Sequence, residues 1–334
     1  MLKLKPAIRR ILSVILSLHL LFLTSCGQIT GYYFQEPSGA ALPETAAQDS
    51  PSGSSTQPIS SGEAYQSGNA EVIVHVIDVG QGLGVLVEYA SSEGSEYVLI
   101  DGGPADHTRN LVAYMSKAGV KNLNSIIVTH YHADHINGSL AALKTFGLIG
   151  STKIYSPSYS VNNRSIYTKW KTAALSYPES SPVPFEDFFI GDMRISFIHS
   201  GKGEYGEYTE ENDNSIGVLI QYGDTSMICL GDMEIESEYD TMDMCINNGI
   251  DVSADIYIAN HHGSSSSSSE YLLNCITKTD VTHYCAISCG KNNDYGHPHS
   301  QVIERLAQYG YVVSVTAESG DLVYHMDGVN AWLE

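Results

Sequence analysis

Residues 129–135 read Thr-His-Tyr-His-Ala-Asp-His, so His130, His132, Asp134 and His135 fall within six positions. Imidazole nitrogen and carboxylate oxygen are donors that zinc takes readily, and manganese accepts them too. His130 and His132 can chelate one ion as a pair, while Asp134 and His135 turn to a second ion beside it. Just upstream, Ser125-Ile126-Ile127-Val128-Thr129 is apolar and β-branched and predicts a buried strand. A strand that ends in a cluster of donors is how a rigid sheet presents ligands to a metal.

Three further loops follow apolar strands in the same manner. Ile228-Cys229-Leu230-Gly231-Asp232 puts a carboxylate at one strand end, and Ile256–Ser264 puts His261 and His262 at another. Asn292–His299 puts His297 and His299 beyond a fourth, within the run Gly296-His297-Pro298. Turn chemistry alone would explain a lone Asp after Gly. Four donor-rich loops in one chain point instead to chemistry.

The elements that must position these loops are short. Strands are predicted over 72–78, 83–89, 96–100 and 125–129, then over 193–198, 216–222, 226–231, 255–259, 283–288, 311–316 and 321–326. Helices fit 109–118, a segment beginning near Gly138, 233–248, 268–276 and 300–309. Many short strands with interposed helices predict an α/β fold of two mixed sheets sandwiched between helices. Asp78 and Asp101, each at a strand end, read as residues that orient loops or ligands. The Ser264–Ser269 tract reads as a mobile, low-complexity loop.

The first 25 residues carry Lys3, Lys5, Arg9 and Arg10 ahead of an apolar run from Ile11 to Leu23, the pattern of a secretory signal. It closes on Leu23-Thr24-Ser25-Cys26, which resembles a bacterial lipobox whose cysteine becomes a lipidated N-terminus. Residues 26–70 are rich in Ser, Gly, Pro, Gln and Ala and read as a tether, leaving 71–334 as one folded domain. The localisation expected is therefore the outer face of a bacterial membrane, held by lipid. The formal charge is −21, and loss of the four basic signal residues takes it to −25. That balance argues against a dedicated nucleic-acid-binding surface, which normally clusters Lys and Arg. Five cysteines remain, an odd number, so at least one thiol is free. Cys229 and Cys285 sit in apolar runs as core residues, and a Cys245–Cys275 disulfide is conceivable.

Taken together, the motifs resemble the metallo-β-lactamase-fold hydrolases, and more narrowly the hydrolase domain of the ComEC competence proteins. The matching elements are His-Val-Ile-Asp-Val-Gly-Gln-Gly (75–82), Leu-Ile-Asp-Gly-Gly (99–103), the His130 cluster, Asn-Asp-Asn-Ser-Ile-Gly-Val-Leu-Ile (212–220), Leu-Gly-Asp (230–232), His-His-Gly-Ser (261–264) and Tyr-Gly-His-Pro (295–298). They stand in the family's order across about 72–325. The resemblance implies a four-layer αβ/βα sandwich and two divalent ions, zinc or manganese. His130 and His132 would bind the first ion, Asp134 and His135 the second, with Asp232 bridging and either His261 or His262 completing the second site. Where many relatives add a third histidine to the first ion, this chain offers Asn212, Asp213 and Asn214, with His199 upstream. It also has Leu83-Gly84 where relatives commonly read Asp-Ala.

The activity implied is metal-dependent hydrolysis of phosphodiesters, with Asp134 and His297 as catalytic residues and DNA as the substrate the ComEC likeness suggests. His297 would contact a phosphoryl oxygen or protonate the leaving group; otherwise it only caps the helix that follows. Competing readings are a phosphoesterase acting on a cell-wall polymer of the teichoic-acid type, a β-lactamase, and a non-catalytic ligand-binding lipoprotein with structural metals. No protein partner is predictable. An intact donor set weighs against the last reading, because a binding module has no need of an open two-metal site.

Overall fold

The structure is a computed structural model that describes residues 70–201 and 210–334. The signal segment 1–25, Cys26 and all of the tether but Ala70 lie outside the described residues. Among the described residues, no helix is long and apolar enough to cross a membrane.

Among the described residues, fifteen strands form two sheets. The strands are β1 (Glu71–Val76), β2 (Val85–Ser91), β3 (Gly94–Ile100), β4 (Ser125–Ile127), β5 (Lys153–Tyr155), β6 (Glu179–Ser180), β7 (Glu186–Ile190), β8 (Met193–Ser200), β9 (Ile216–Tyr222), β10 (Thr225–Cys229), β11 (Ile256–Ile258), β12 (Tyr284–Ile287), β13 (Val312–Val315), β14 (Leu322–Met326) and β15 (Ala331–Leu333). One sheet has the order β15-β14-β1-β2-β3-β4-β5-β6 and the other β13-β12-β11-β10-β9-β8-β7. Each is antiparallel in one half and parallel in the other: β3 to β6 run parallel in the first sheet, β10 to β13 in the second. Seven helices connect them: α1 (Thr108–Lys117), α2 (Ala133–Phe146), α3 (Ser165–Ala174), α4 (Ile235–Asn247), α5 (Glu270–Ile276), α6 (Ser300–Gln308) and α7 (Thr316–Ser319).

The alternation of side chains along each strand builds three apolar layers. Val98, Ile100 and Ile127 of the first sheet meet Phe197, Val218 and Cys229 of the second in the layer between them. On the opposite face, Leu99, Ile126 and Val128 pack with Leu111, Leu140, Leu143 and Trp170 from α1, α2 and α3. Behind the second sheet, Ile228 and Cys285 pack with Met242, Cys245, Leu273 and Leu306 from α4, α5 and α6. The result is the four-layer αβ/βα sandwich. The central parallel strands β4, β10 and β11 are buried on both faces, which is why they read as continuous apolar runs.

Three expectations need correcting. Helix α2 starts at Ala133, not near Gly138, because His132 is extended (φ −66°, ψ 153°) and caps the helix, so Asp134 and His135 stand on its first turn. The Ser264–Ser269 tract is not a loose loop: Ser267 and Ser268 are fully buried and hydrogen-bonded. All five described cysteines, Cys245 and Cys275 included, are free thiols. The edge strands β6, β7 and β15, with the short β5 and helix α3, carry too little apolar periodicity to be anticipated.

Two backbones touch where α2 crosses the loop after β3. Gly102 N donates to His135 O at 2.8 Å and Gly138 N to Gly103 O at 3.0 Å. A Cβ on Gly138 would collide with the Gly102 carbonyl. Gly138→Ala, although it improves helix propensity, is therefore expected to destabilise the domain by about 1–3 kcal/mol, the usual cost of overpacking. Urea unfolding checks this, and a midpoint equal to or above wild type would refute the contact.

Candidate metal centre

All the donor loops leave the carboxyl ends of parallel strands, β3 and β4 in one sheet and β10, β11 and β12 in the other. His130, His132, Asp134 and His135 follow β4, Asp232 follows β10, His261 and His262 follow β11, and His297 follows β12. His132, Asp134, Asp232, His261, His262 and His297 line one cleft of about 390 Å³ with Gln81, Arg164, Asn212 and Tyr295, and His130 and His135 lie fully buried behind it.

Four of them meet. Ligand atoms of Asp134, His135, Asp232 and His262 all lie within 4.8 Å of one another. Asp232 Oδ2 is the hub, 3.2 Å from His135 Nε2 and 3.4 Å from His262 Nε2, and His262 Nε2 is 3.5 Å from Asp134 Oδ2. His262 is thus the member of the pair that stands with Asp134, His135 and Asp232. His261 is more exposed, with Nε2 3.9 Å from Asp232 Oδ2 and Nδ1 3.3 Å from Glu234 Oε1.

The tautomers are set by outer partners. His135 Nδ1 donates to Asp101 Oδ2 at 2.8 Å and His262 Nδ1 to Ser288 O at 3.0 Å, which turns both Nε2 atoms into the centre. Thr129 Oγ1 gives its proton to Asp101 at 2.5 Å, so it accepts from His130 Nδ1 at 3.1 Å and leaves His130 Nε2 bare. Asp232 N donates to Ser215 Oγ at 3.2 Å. Gly231 needs its left-handed φ of 61°, and a Cβ there would press on Ser215 and Thr129.

The residues present fit a cation. His135 Nε2, His262 Nε2 and Asp232 Oδ1 are buried without a hydrogen-bond partner. Such orphaned polar atoms are costly unless something satisfies them, and these converge on one point. Burial disfavours the charged form of His135, but Asp232 and Asp101 outweigh it and hold the imidazole well above its usual range. Burial opposes and Asp232 with Asp134 favours charge on His262, whose pKa rises to about 9. Burial would raise Asp232 and Asp134, yet the neighbouring histidines hold both carboxyls well below the ordinary value. His130 is pushed down by burial and by the charge on His135.

His130 and His132 lie beside this cluster but outside it. His130 Nε2 is 3.0 Å from His132 Nδ1 and 3.9 Å from Asp232 Oδ2, whereas His132 Nε2 faces Glu211 Oε2 at 3.6 Å. Of the residues offered in place of a third histidine, only Asn212 lines the cleft. Asp213 turns to Glu234 N and Ser237 Oγ, Asn214 reaches Glu210 O, and His199 donates to Ser215 O. Asp101 orients ligands as expected, and Asp78 shapes its turn by accepting from Gly80 N at 3.1 Å.

Arg164, which lines the cleft, and Glu211, which pairs with Arg164 and faces His132, are residues that the sequence did not single out. Glu211 accepts from Tyr131 N and from Arg164, and neither residue belongs to a donor-rich motif. Gln81 lies within the 75–82 motif and was legible there.

The metallo-beta-lactamase superfamily pattern matches residues 77–244. ComE operon protein 3 of Bacillus subtilis is 27% identical over 280 residues, covering 78% of this chain and 34% of that protein. Competence protein ComA of Neisseria gonorrhoeae is 26% identical over 255 residues, covering 76% of this chain and 32% of its own length. This chain therefore spans about a third of the length of the curated relatives it matches. A solved metal-dependent hydrolase of the beta-lactamase superfamily superimposes with a TM-score of 0.46 at 14% identity, covering 73% of this chain and 95% of that one.

Two outcomes follow from the geometry. Asp101→Ala is expected to weaken zinc binding by about 10–100-fold, read by equilibrium dialysis, because His135 and the Thr129–His130 link lose their anchor. Unchanged affinity would remove Asp101 from the centre. His135 and His262 are charged at neutral pH in the metal-free site and must be neutral to ligate, while Asp134 and Asp232 are already ionised. Zinc affinity is therefore expected to rise from pH 6 to pH 8 by about tenfold per unit for each proton displaced. Calorimetry in buffers of different ionisation enthalpy counts those protons, and a count of zero contradicts the assignment.

Proposed function

Because the chain belongs to the metallo-beta-lactamase superfamily, we propose that it is a two-metal hydrolase of phosphodiesters, tethered to the outer face of a bacterial membrane through lipidated Cys26. The observation that carries this reading is the meeting of Asp134, His135, Asp232 and His262, with buried ligand atoms aimed at one point. His130 and His132 supply the neighbouring first site, and zinc suits the imidazole-rich donor set, with manganese as the alternative. When bound, two such ions would acidify a water and offset charge on the phosphoryl oxygens, so that no Ser or Cys nucleophile is required.

The protein's own residues then position the substrate. Gly290 N donates to Gln81 Oε1 at 3.1 Å, which fixes the orientation of that amide and points its NH2 at His297 Nδ1, 3.3 Å away. The proton of His297 is thereby left on Nε2, the nitrogen able to donate to a phosphoryl or leaving oxygen. Burial first, then the charges of His262, His261 and His299, lower its pKa to about 4. A divalent cation pushes it the same way, so at neutral pH His297 acts as a hydrogen-bond donor in preference to a general acid. Asp134 serves as a metal ligand at the edge of the same cleft. Arg164, the one Lys or Arg among the described cleft residues, is paired with Glu211 at 2.7 Å and lends partial positive character to that wall.

A ComEC-type action on DNA is the first substrate to test. A net charge of −21 favours a second reading, a phosphoesterase acting on short cell-wall esters, since it repels long polyanions. The full chain should be assayed with zinc or manganese on bis(p-nitrophenyl) phosphate, linear DNA and nitrocefin. Turnover of the phosphodiester is expected, with a loss of at least about 10³-fold in Asp134→Ala and Asp232→Ala, as befits ligands that act as a unit. Equal activity in those variants, or hydrolysis of nitrocefin alone, would sink the proposal.

A further inference from the structure

Glu238 is a fully buried carboxylate that touches none of the metal-centre residues. It lies on α4, the helix that follows Asp232. Its Oε1 accepts from Ser268 N at 2.5 Å and Asn260 Nδ2 at 2.8 Å, and its Oε2 accepts from Ser269 N at 2.8 Å. All three donors belong to the segment that contains His261 and His262. A carboxylate held in the interior is costly unless its lone pairs are satisfied, and here one loop satisfies them.

That segment needs an external brace. His261 and His262 both sit in the left-handed region, with φ of 49° and 57°, which non-glycine residues adopt only where the surroundings over-determine them. Asn260, which immediately precedes the pair, is tied by its side chain to Glu238 and by its N–H to Tyr257 Oη at 3.1 Å. Tyr257 Oη also meets Ser268 Oγ at 2.8 Å, and Arg305 of α6 donates to the carbonyls of Ser267 and Ser268 at 3.0 and 2.6 Å. Among these braces Glu238 alone comes from α4, and so links the Asp232 side of the centre to the His262 side. An acceptor-only side chain is required, because a glutamine would turn an NH2 toward a backbone N–H.

We propose that Glu238 is a positioning residue that holds His262 in register with Asp232 by clamping Asn260, Ser268 and Ser269; this rests on His262 being a metal ligand. It acts through His262 and takes no part in the chemistry itself.

The test is a double-mutant cycle on the full chain, reading zinc affinity by equilibrium dialysis and foldedness by thermal unfolding. His262→Ala is expected to weaken zinc binding, and Glu238→Gln to weaken it by about 10–100-fold, as outer-shell substitutions do. In the Glu238→Gln/His262→Ala double variant the affinity should equal that of His262→Ala, because the clamp has nothing left to position. Wild-type affinity in Glu238→Gln, or a loss that adds fully to that of His262→Ala, overturns the proposal. Should Glu238→Gln not fold, Asn260→Ala removes one arm of the clamp and takes its place in the cycle, with the same outcomes deciding. If His262→Ala itself binds zinc normally, the metal-site reading fails and the positioning role falls with it.

Discussion

The centre depends on one buried carboxylate that is not itself a ligand. Asp101 leaves β3 with a left-handed φ of 54° and no exposed surface. It takes Thr129 N and Thr129 Oγ1 on one side and His135 Nδ1 on the other. Through Thr129 it also fixes the tautomer of His130. One side chain thus aims donors from both halves of the His cluster. The conformation is strained for a non-glycine residue, and strain of this kind persists only when neighbouring bonds over-determine it. Gly102 and Gly103 meet that need by docking the backbone onto the first turns of α2.

The second sheet solves the same problem with different parts. Its parallel strands β10, β11 and β12 end in three loops that must converge on one point, although side chains so far apart in sequence share no local geometry. Ser215 and Gly231 fix Asp232, Ser288 fixes His262, and the serine tract is locked between α4 and α6. A buried carboxylate recurs as the brace, Asp101 in the first sheet and Glu238 in the second. An acid suits both places because the groups to be held are all donors.

Much of this was legible from the residues, and the reason is physical. The central parallel strands β4, β10 and β11 are buried on both faces, so their sequences are short apolar runs that stand out, and the donors come directly after them. The His130 cluster, Asp232 and the His261/His262 pair were visible on those grounds. The choice between His261 and His262 was not, because adjacent residues share every local signal and only their different burial separates them. The start of α2 was hidden because its capping residue is His132, which looks like a ligand and not like a cap. Arg164 and Glu211 were invisible because their place at the cleft comes from tertiary packing, on segments without periodicity. The serine tract misled for the opposite reason: its composition resembles that of a mobile linker, while hydroxyls and amides together saturate two buried acceptors.

The charges of the cradle also balance one another. Two carboxylates facing each other across a buried site would repel strongly in a low dielectric. Asp134 and Asp232 instead stand against His135 and His262, whose imidazoles are driven toward the charged form by those same acids. The imidazole nitrogens stand 3.2–3.5 Å from the carboxylate oxygens, so opposite charges alternate around the point where they meet. The outer bonds of His135 to Asp101 and of His262 to Ser288 use the far ring nitrogens and would be kept with a cation bound. Because those outer bonds are already made, binding need not order the ligands and competes mainly against the protons it displaces. A site built this way is preorganised for charge at its centre whichever species carries it.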